Sequence, residues 1–321
     1  MRSLLVPRGR TRNELPQFHT DPPAQNLYHN NLGSVRFELP ASSLAIATSV
    51  ILSCISLAHA EDDNAYREIE TKYIFGFTEG SAIGLEGEKE FSPDTIINSG
   101  KRDGRFTASE TELKFEYTPN QFVQFEFDPI VTYHDIQNVT GLDNLNAGTF
   151  GGFFGEFRYL LLERGASSPL SLTLSIEPEW HNVDETTGQG VVNFGLETNL
   201  NGDVEVIKNR AFVGFNLLYE PERTLTQEGT TEDESTLGVS TAFAYRILPN
   251  ITMGAETWYL RHYSEVGLSS FTGDAVYVGP NLYIQITPKV FVTLAWNAQV
   301  AGHEVGSTGN LDLTDFSRNR F

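Results

Sequence analysis

Hydrophobic and polar residues alternate along most of the chain after residue 68. Near Thr111, for example, Leu113, Phe115 and Tyr117 are separated by single charged residues. Successive side chains of a β-strand point to opposite faces, so each such run predicts a strand with one apolar and one polar face. About twelve runs show this pattern, and none has a sustained helical period. Their centres are Tyr73, Thr111, Phe127, Phe157, Leu174, Phe194, Phe215, Val239, Ala255, Val278, Leu294 and Leu313.

The connections between these runs alternate in length. Short turns at one end and longer loops at the other are typical of an up-and-down outer-membrane barrel with both termini on the periplasmic, short-turn side. The short connections are Thr118–Asn120, Arg164–Ser168, Asn201–Lys208, Leu248–Asn250 and Thr287–Lys289. The longer ones are Ser81–Arg102, Asp135–Thr149, Asn182–Gly188, Glu222–Glu234, Ser264–Thr272 and Ala301–Asn310. Within the first longer connection, Glu86–Phe91 could pair as an extra hairpin arm.

The sequence therefore predicts an all-β fold, an up-and-down antiparallel transmembrane β-barrel of about 12 strands. A soluble β-sandwich also alternates, but its apolar face would be the core and its loops would not be sorted by length. In a barrel surrounded by lipid, the apolar face lies outside and the polar face inside. Aromatic residues near predicted strand ends fit the two lipid–water interfaces. They are Tyr117, Tyr133, Trp180, Tyr219, Tyr245, Tyr259 and Trp296.

Residues 41–60 are uncharged, small and apolar, end in Ala58-His59-Ala60 and are followed by acidic residues. This is the pattern of a secretory signal peptide cleaved after Ala60. A transmembrane helix, or a lipoprotein cleavage site at Cys54, fits the segment less well. We therefore predict a disordered N-terminal extension at 1–40 with the true start near Val35, a signal-peptide core and cleavage site at 41–60, and a barrel at 61–321. The predicted location is the bacterial outer membrane.

Charge narrows the range of partners. The chain has 321 residues, a formal net charge of −20 and one cysteine. Nucleic acid is excluded as a partner because phosphate binding requires clustered lysine and arginine. The lone cysteine excludes a disulfide framework and a cysteine-based zinc site. Removing residues 1–60 takes away five basic and three acidic residues and leaves −22, so the negative charge belongs to the predicted barrel.

Strand parity places much of this charge inside the barrel. An excess of carboxylates in a narrow aqueous lumen raises the local cation concentration and repels anions. Alternatively, these charges pair across neighbouring strands with Lys72, Lys114, Arg158 and Arg246 and plug the interior. Both interpretations stay open at this point. The predicted lumen-lining residues are Glu110, Glu112, Lys114, Glu116, Glu126, Asp128, Glu156, Arg158, Glu177, Glu179, Glu197, Arg246 and Glu256.

Four histidines lie where predicted strands meet longer loops. Together they could bind a transition metal, but residues on different strands are more simply interpreted as interfacial or loop residues. We therefore predict no metal site and no cofactor. The four are His134, His181, His262 and His303.

Outer-membrane barrels can also be enzymes that act on lipid. His181 with Glu179, or His262 with Glu256 and Ser264, could supply a base and its orienting acid, yet no Gly-x-Ser-x-Gly nucleophile elbow accompanies them. The acidic segment Glu220–Glu234 is predicted to be a solvated surface loop. No catalytic residue is assigned.

Several short stretches resemble a known group of proteins: Phe75–Ser81, Gly87–Glu90, Gly100–Gly104, Ser175–Trp180 and Val300–Gly306. They look like uncharacterised Gram-negative outer-membrane β-barrel proteins, and the resemblance covers most of residues 68–321. It implies a fold and a location, and no substrate or catalytic residue. Barrels of this kind usually end in an alternating strand with a terminal aromatic residue. Here Phe321 is present, but residues 317–320 are polar, so we expect the last strand to be incomplete.

The function predicted from sequence is a passive channel or transporter for small cationic or neutral solutes with an acidic lumen. The alternatives are a lipid-acting outer-membrane enzyme and a structural or adhesive barrel with a closed lumen. The expected partners are outer-membrane lipid, lipopolysaccharide, small solutes and the barrel-assembly machinery.

Overall fold

A computed structural model describes residues 69–165 and 168–321. The predicted extension at 1–40 and signal peptide at 41–60 lie outside the described residues. Within them every regular element is a β-strand, and none of them forms a helix that could span a membrane. The strands are β1 (Lys89–Ser99), β2 (Arg105–Asn120), β3 (Val123–Gln137), β4 (Leu145–Leu162), β5 (Leu170–Val183), β6 (Gly190–Ile207), β7 (Ala211–Leu225), β8 (Thr231–Leu248), β9 (Ile251–Tyr263), β10 (Phe271–Thr287), β11 (Val290–Ala295), β12 (Asn297–Glu304) and β13 (Asn319–Arg320).

Consecutive strands pair antiparallel from β1 to β10. The sheet then closes on itself, because β10 pairs with β11 and β12, β12 pairs with β13, and β13 pairs with β1. β11 and β12 are two halves of one wall strand, so the described chain forms a closed antiparallel barrel of 12 strands. The predicted fold class and strand number are confirmed.

The faces of the wall are arranged as the alternation predicts. In β3, the side chains of Phe125 and Phe127 are exposed on the outside, with Phe127 52% exposed. The residues that alternate with them, Gln124, Glu126 and Asp128, are buried inside the barrel. Because apolar residues lie outside and charged residues inside, the barrel is built for a surrounding that is less polar than its own lumen.

The predicted first strand, centred at Tyr73, is wrong. Residues 69–81, called the inner segment below, form no strand and lie inside the barrel, where Ile74 and Phe75 are fully buried. The alternation is interrupted at Gly76, whose φ of +87° bends the chain out of an extended conformation. The first wall strand is β1, which includes part of the arm proposed at Glu86–Phe91 and contradicts the long loop predicted there.

The predicted last strand, centred at Leu313, is also wrong. Residues 305–318 form a long connection that folds into the mouth of the barrel, where Asp312 and Leu313 are buried. Lys101 fixes this connection by donating hydrogen bonds from Nζ to the backbone oxygens of Thr314 (2.9 Å) and Phe316 (3.0 Å). Burial lowers the pKa of Lys101 to about 8. Tertiary contacts, rather than local pattern, decide the path of this connection.

Several predicted loops are shorter in the structure because the strands continue into them. Residues 226–230 alone connect β7 to β8, so Glu222 and Glu234 are strand residues paired with each other. The surface loop predicted at Glu220–Glu234 is therefore wrong.

Trp296, predicted at a strand end, instead lies at the break between β11 and β12. It is opposite Pro280, which has no N–H to donate to the ladder.

Candidate functional site

The lumen has two parts with different electrostatics. The plugged half surrounds the inner segment. The acidic vestibule lies toward the longer connections at the other end of the barrel and is lined by Glu177, Glu179, His181, Glu197, Glu220 and Glu222 on β5, β6 and β7. Both parts are built from inward positions of wall strands, so the wall alone does not distinguish them.

Lys72 forms ion pairs with a row of three carboxylates in the plugged half. Glu116, Glu126 and Glu156 lie side by side on β2, β3 and β4, where they are direct cross-strand partners. The Lys72 ammonium is 3.1 Å, 2.9 Å and 3.6 Å from oxygens of these three residues, respectively. The lysine side chain is fully buried. A buried cation of this kind is retained only where several anions surround it, and here the wall supplies them.

Arg158 on β4 holds the other side of the inner segment. Its guanidinium pairs with Glu79 of the segment and with Glu156, 3.0 Å away. The same guanidinium donates a hydrogen bond of 2.8 Å to the Gly80 backbone oxygen. Arg158 is fully buried, and the planar fork of its donors suits several acceptors at once. The segment therefore contributes a cation, Lys72, to carboxylates of the wall, and the wall contributes a cation, Arg158, to a carboxylate of the segment.

Two wall carboxylates bind backbone groups of the segment. Glu256 on β9 accepts hydrogen bonds from the Phe77 N–H (3.1 Å) and the Thr78 N–H (2.7 Å). Asp203 on β6 accepts from the Thr71 hydroxyl (2.6 Å) and from the Ser81 N–H (2.9 Å). Since N–H groups buried without a partner are costly, these carboxylates stabilise a segment that has no sheet partner of its own.

Apolar packing completes the plugged half. Ile74 and Phe75 pack in one buried cluster with Phe212, Ala244 and Tyr283 from wall strands near the short turns. The inner segment is thus attached by apolar contacts, ion pairs and hydrogen bonds on opposite walls of the lumen. The interpretation in which the predicted inward charges pair and plug the interior describes this half correctly.

The vestibule has carboxylates without cations. Glu177 and Glu197 face each other across β5 and β6, and oxygens of Glu179, Glu197 and Glu220 all lie within 4.8 Å of one another. Asn199 donates hydrogen bonds to Glu177 (3.1 Å) and to Glu197. In the described part of the chain, none of these carboxylates forms an ion pair with a lysine or arginine. The vestibule is consequently a cluster of carboxyl groups without a basic partner.

His181 lies at the upper edge of this vestibule. Its Nε2 is 3.0 Å from Glu179 Oε2, and its Nδ1 faces Glu110 and Glu185 at 3.8 Å and 4.0 Å. The side chain of Glu185, in the connection 184–189, is 60% exposed, so water reaches the site from the mouth. His134 approaches the same connection, with its Nε2 2.9 Å from the Glu185 backbone oxygen.

The other two histidines lie elsewhere on the rim. His262 contacts Glu234 (3.5 Å) and Asp315 (3.4 Å). His303 stacks against Phe271 with ring centroids 6.1 Å apart. The structure therefore brings His134 and His181 to one connection and does not gather all four histidines into a cluster.

The structure puts every predicted lumen-lining residue on the inner face of the barrel. Twelve of them form two groups, and Arg246 lies apart from both. Those in contact with the inner segment or with its partners are Glu112, Lys114, Glu116, Glu126, Asp128, Glu156, Arg158 and Glu256. Those in or beside the vestibule are Glu110, Glu177, Glu179 and Glu197. Arg246 is buried at a short turn, where it donates a hydrogen bond of 2.8 Å to the Pro249 backbone oxygen.

Of the predicted interfacial aromatics, Tyr117 and Tyr245 are exposed on strand ends near short turns. Toward the other end, Trp180 stacks on Phe153 with centroids 5.9 Å apart on the outer face. Tyr133, Tyr219 and Tyr259 are half-buried near the longer connections, where their hydroxyls bond Asn146 (3.3 Å), the Val266 backbone and Asp274 (3.2 Å).

Five residues of the site were missed by the sequence analysis: Glu79, Asp203, Glu185, Glu220 and Glu222. Asp203 on β6 and Glu220 and Glu222 on β7 continue the inward parity beyond the predicted strand ends, so a longer strand assignment would have found them. Glu79 and Glu185 lie outside the strands, and periodicity carries no signal for their positions.

Comparison with known proteins adds a family and a set of similar folds. A family model described as a family of unknown function (DUF6662) matches residues 67–321. Among curated proteins there is no match. Solved structures that resemble the chain include in-vitro folded OmpT, an outer membrane protein of Vibrio cholerae (10% identity, 73% of this chain and 95% of that chain, TM-score 0.35). Its loop L8 deletion mutant has 10% identity, the same 73% coverage, 97% of its own chain and a TM-score of 0.34. These similarities transfer no residue role.

Proposed function

Because the chain belongs to the DUF6662 family of unknown function, we propose from its own geometry that it is an outer-membrane β-barrel with a gated, cation-selective lumen. Small cations collect in the acidic vestibule and pass only when the inner segment moves. The observation that carries the proposal is the contrast between uncompensated vestibule carboxylates and a neutralised inner segment.

The outer surface supports a position in a membrane. A soluble barrel would leave this much apolar surface in contact with water, at a cost of roughly 25 cal/mol per Å². Lipid removes that cost, and the proposal therefore includes outer-membrane lipid and lipopolysaccharide as surroundings and the barrel-assembly machinery as a partner. Outward-facing exposed side chains include Phe115, Phe125, Phe127, Phe153, Phe157, Leu196, Leu217, Val239, Phe243, Met253, Val278 and Leu294.

The vestibule supports cation preference. Carboxylates at short separation in a partly desolvated space repel one another, and a mobile cation relieves that repulsion. Glu222, above the cluster, accepts a hydrogen bond of 2.9 Å from Asn193 and lies on the path from the mouth. An anion moving inward would meet the same groups with the opposite sign of interaction.

The inner segment supports gating. Lys72 and Arg158 fill the lumen below the vestibule and are both fully buried. An ion could pass this level only if contacts between the segment and the wall were opened. The segment is attached by side chains and single hydrogen bonds rather than by a strand ladder, which makes it the part of the barrel that can move while the wall stays closed.

A disulfide lock tests the proposal. The hydroxyl oxygens of Thr78 and Ser240 are 3.1 Å apart, close enough for a disulfide after Thr78→Cys and Ser240→Cys. In a Cys54→Ser background, the reduced variant should give cation-selective current in planar bilayers, and oxidation should abolish most of it reversibly. The matched control is a disulfide in the 226–230 turn, where the hydroxyls of Thr226 and Thr230 are 2.6 Å apart, and it should leave current unchanged.

Two results would contradict the proposal. Current that persists in the oxidised Thr78→Cys, Ser240→Cys variant would mean that ions pass without movement of the segment. Anion-selective current would contradict the role of the vestibule.

A structural barrel with a closed lumen is the second candidate. It is favoured by the attachment of the inner segment to both sides of the barrel, through Arg158 and Asp203 on one side and Glu256 on the other. A reduced protein that gives no current under any voltage would support this candidate.

We propose no enzyme activity. The pair of Glu179 and His181 lies inside the barrel, whereas a site acting on membrane lipid must be reached from the outer surface. The geometry of this pair supports ion binding better than lipid hydrolysis.

A further inference from the structure

Three potential ligand atoms converge at the mouth of the vestibule. His181 Nδ1, one oxygen of Glu110 and one oxygen of Glu185 all lie within 4.8 Å of one another. They come from β5, β2 and the connection 184–189, so closure of the barrel, rather than proximity in sequence, brings them together. One imidazole and two carboxylates form a common donor set for divalent transition metals.

The bonding state of His181 points to a ligand. The residue is only 4% exposed, yet its Nδ1 has no hydrogen-bond partner in the described structure. The facing Glu110 Oε2 is likewise buried and without a hydrogen bond. Two unsatisfied polar atoms that face each other at 3.8 Å are costly unless something binds between them.

The other side of the imidazole is already occupied. Nε2 is 3.0 Å from Glu179 Oε2, a distance at which an N–H donates to the carboxylate. With the proton on Nε2, the lone pair of neutral His181 is on Nδ1 and points toward Glu110 and Glu185. A carboxylate behind a metal-binding histidine typically fixes its tautomer and raises its basicity in this way.

A small cavity lies beside the two carboxylate ligands. It has a volume of about 20 Å³ and is lined by residues that include Glu110, Thr132, His134 and Glu185, whereas His181 is not part of its lining. This volume suffices for a single water molecule or a metal ion and excludes an organic ligand. His134 is bonded to the backbone of Glu185 and therefore steadies the connection that carries that ligand.

We propose that His181, Glu110 and Glu185 bind one divalent transition metal ion of the zinc type at the mouth of the barrel, with Glu179 orienting the imidazole. Water would complete the coordination from the exposed side of Glu185. Binding requires only small movements, because two donors that each lie about 2 Å from one ion are at most about 4 Å apart, and His181 Nδ1 is 3.8 Å from Glu110 and 4.0 Å from Glu185. The proposal is independent of ion passage and would hold for a barrel that never conducts.

The test is a titration of the full chain, purified and folded in detergent, with Zn²⁺ followed by calorimetry. We expect one Zn²⁺ per chain. His181→Ala should weaken binding by more than about 100-fold and Glu179→Gln by about 10- to 100-fold, since the first removes a ligand and the second removes its orienting partner. His303→Ala, a rim histidine outside the cluster, is the matched control and should bind Zn²⁺ like the wild type.

Glu185→Gln keeps the test valid if a buried substitution disturbs the barrel. Its side chain is exposed, so the variant should fold normally, which its heat-modifiable mobility on gels will verify, and it should lose at least about 10-fold in Zn²⁺ affinity. Unchanged affinity in both Glu185→Gln and His181→Ala would overturn the proposal. So would a Glu197→Gln variant that alone abolishes binding, because the metal would then lie in the all-carboxylate cluster. Zn²⁺ binding to the oxidised Thr78→Cys, Ser240→Cys barrel is expected whether or not ions pass.

Discussion

The plugged half and the acidic vestibule use the same wall, the same residue type and the same inward parity, yet they differ in charge balance. Glu116, Glu126 and Glu156 share the ammonium of Lys72. Oxygens of Glu179, Glu197 and Glu220 lie within 4.8 Å of one another, and these residues share no lysine or arginine in the described residues. The comparison teaches that the wall supplies carboxylates to both halves, whereas the cations that pair with them, Lys72 of the segment and Lys114 and Arg158 of the wall, lie in the plugged half.

The two halves also differ in what removal of a charge should do. Breaking a buried ion pair leaves an uncompensated charge and is strongly destabilising, whereas removing one of several repelling anions relieves repulsion. The two halves should therefore respond oppositely to the same substitution, which makes the comparison testable without any assumption about function.

Lys72→Met should produce the largest effect. It removes the cation shared by three adjacent buried carboxylates, of which Glu126 keeps Lys114 and Glu156 keeps Arg158. The loss should lower the free energy of unfolding by about 3–5 kcal/mol. Denaturant unfolding of the detergent-folded barrel measures this. Lys89→Met is the control, because Lys89 is exposed on β1, and it should change stability little. Equal stability of Lys72→Met and wild type would remove the basis for the distinction between the halves.

Gly76→Ala should have a smaller effect of the same sign. The residue has a φ of +87°, and an added Cβ would lie 2.7 Å from Glu256 Oε1 and 2.8 Å from the Ala295 Cβ. Gly141→Ala is matched, since Gly141 has the same φ of +87° with nothing within 4 Å of the added Cβ. Backbone strain alone costs about 1 kcal/mol, and the clash should add roughly 1–3 kcal/mol for Gly76. Similar losses in both variants would mean that the inner segment fits loosely.

The finest comparison is Glu126→Gln against Glu197→Gln. Glu126 accepts from Lys72 at 2.9 Å and lies 3.2 Å from Lys114, so its neutralisation should destabilise the barrel by about 1.5–3 kcal/mol. Glu197 has only anionic and amide neighbours, and its neutralisation should leave stability unchanged or raise it by up to about 1 kcal/mol. Urea or guanidinium midpoints at one pH give both values. Destabilisation of equal size in the two variants would contradict the comparison.

Much of the fold was accessible from sequence because wall strands follow a local rule. Phe125 and Glu126 point to opposite faces whatever the rest of the chain does, and so parity placed the lumen residues inside. The same rule misled at Tyr73, since Tyr73, Phe75 and Phe77 alternate like a strand while lying inside the barrel. It also missed β1, whose Pro93 and Asp94 are poor strand residues that pair with Leu113 and Glu112 of β2.

The sequence by itself determined the alternation, and with it an all-β barrel that is apolar outside and acidic inside. The tertiary structure alone decided which carboxylates are neutralised and which remain free. The reason is that alternation depends on neighbouring residues, whereas charge pairing depends on distances across the lumen. Lys72 reaches Glu126, and His181 faces Glu110, only after the barrel has closed and the inner segment has folded into it.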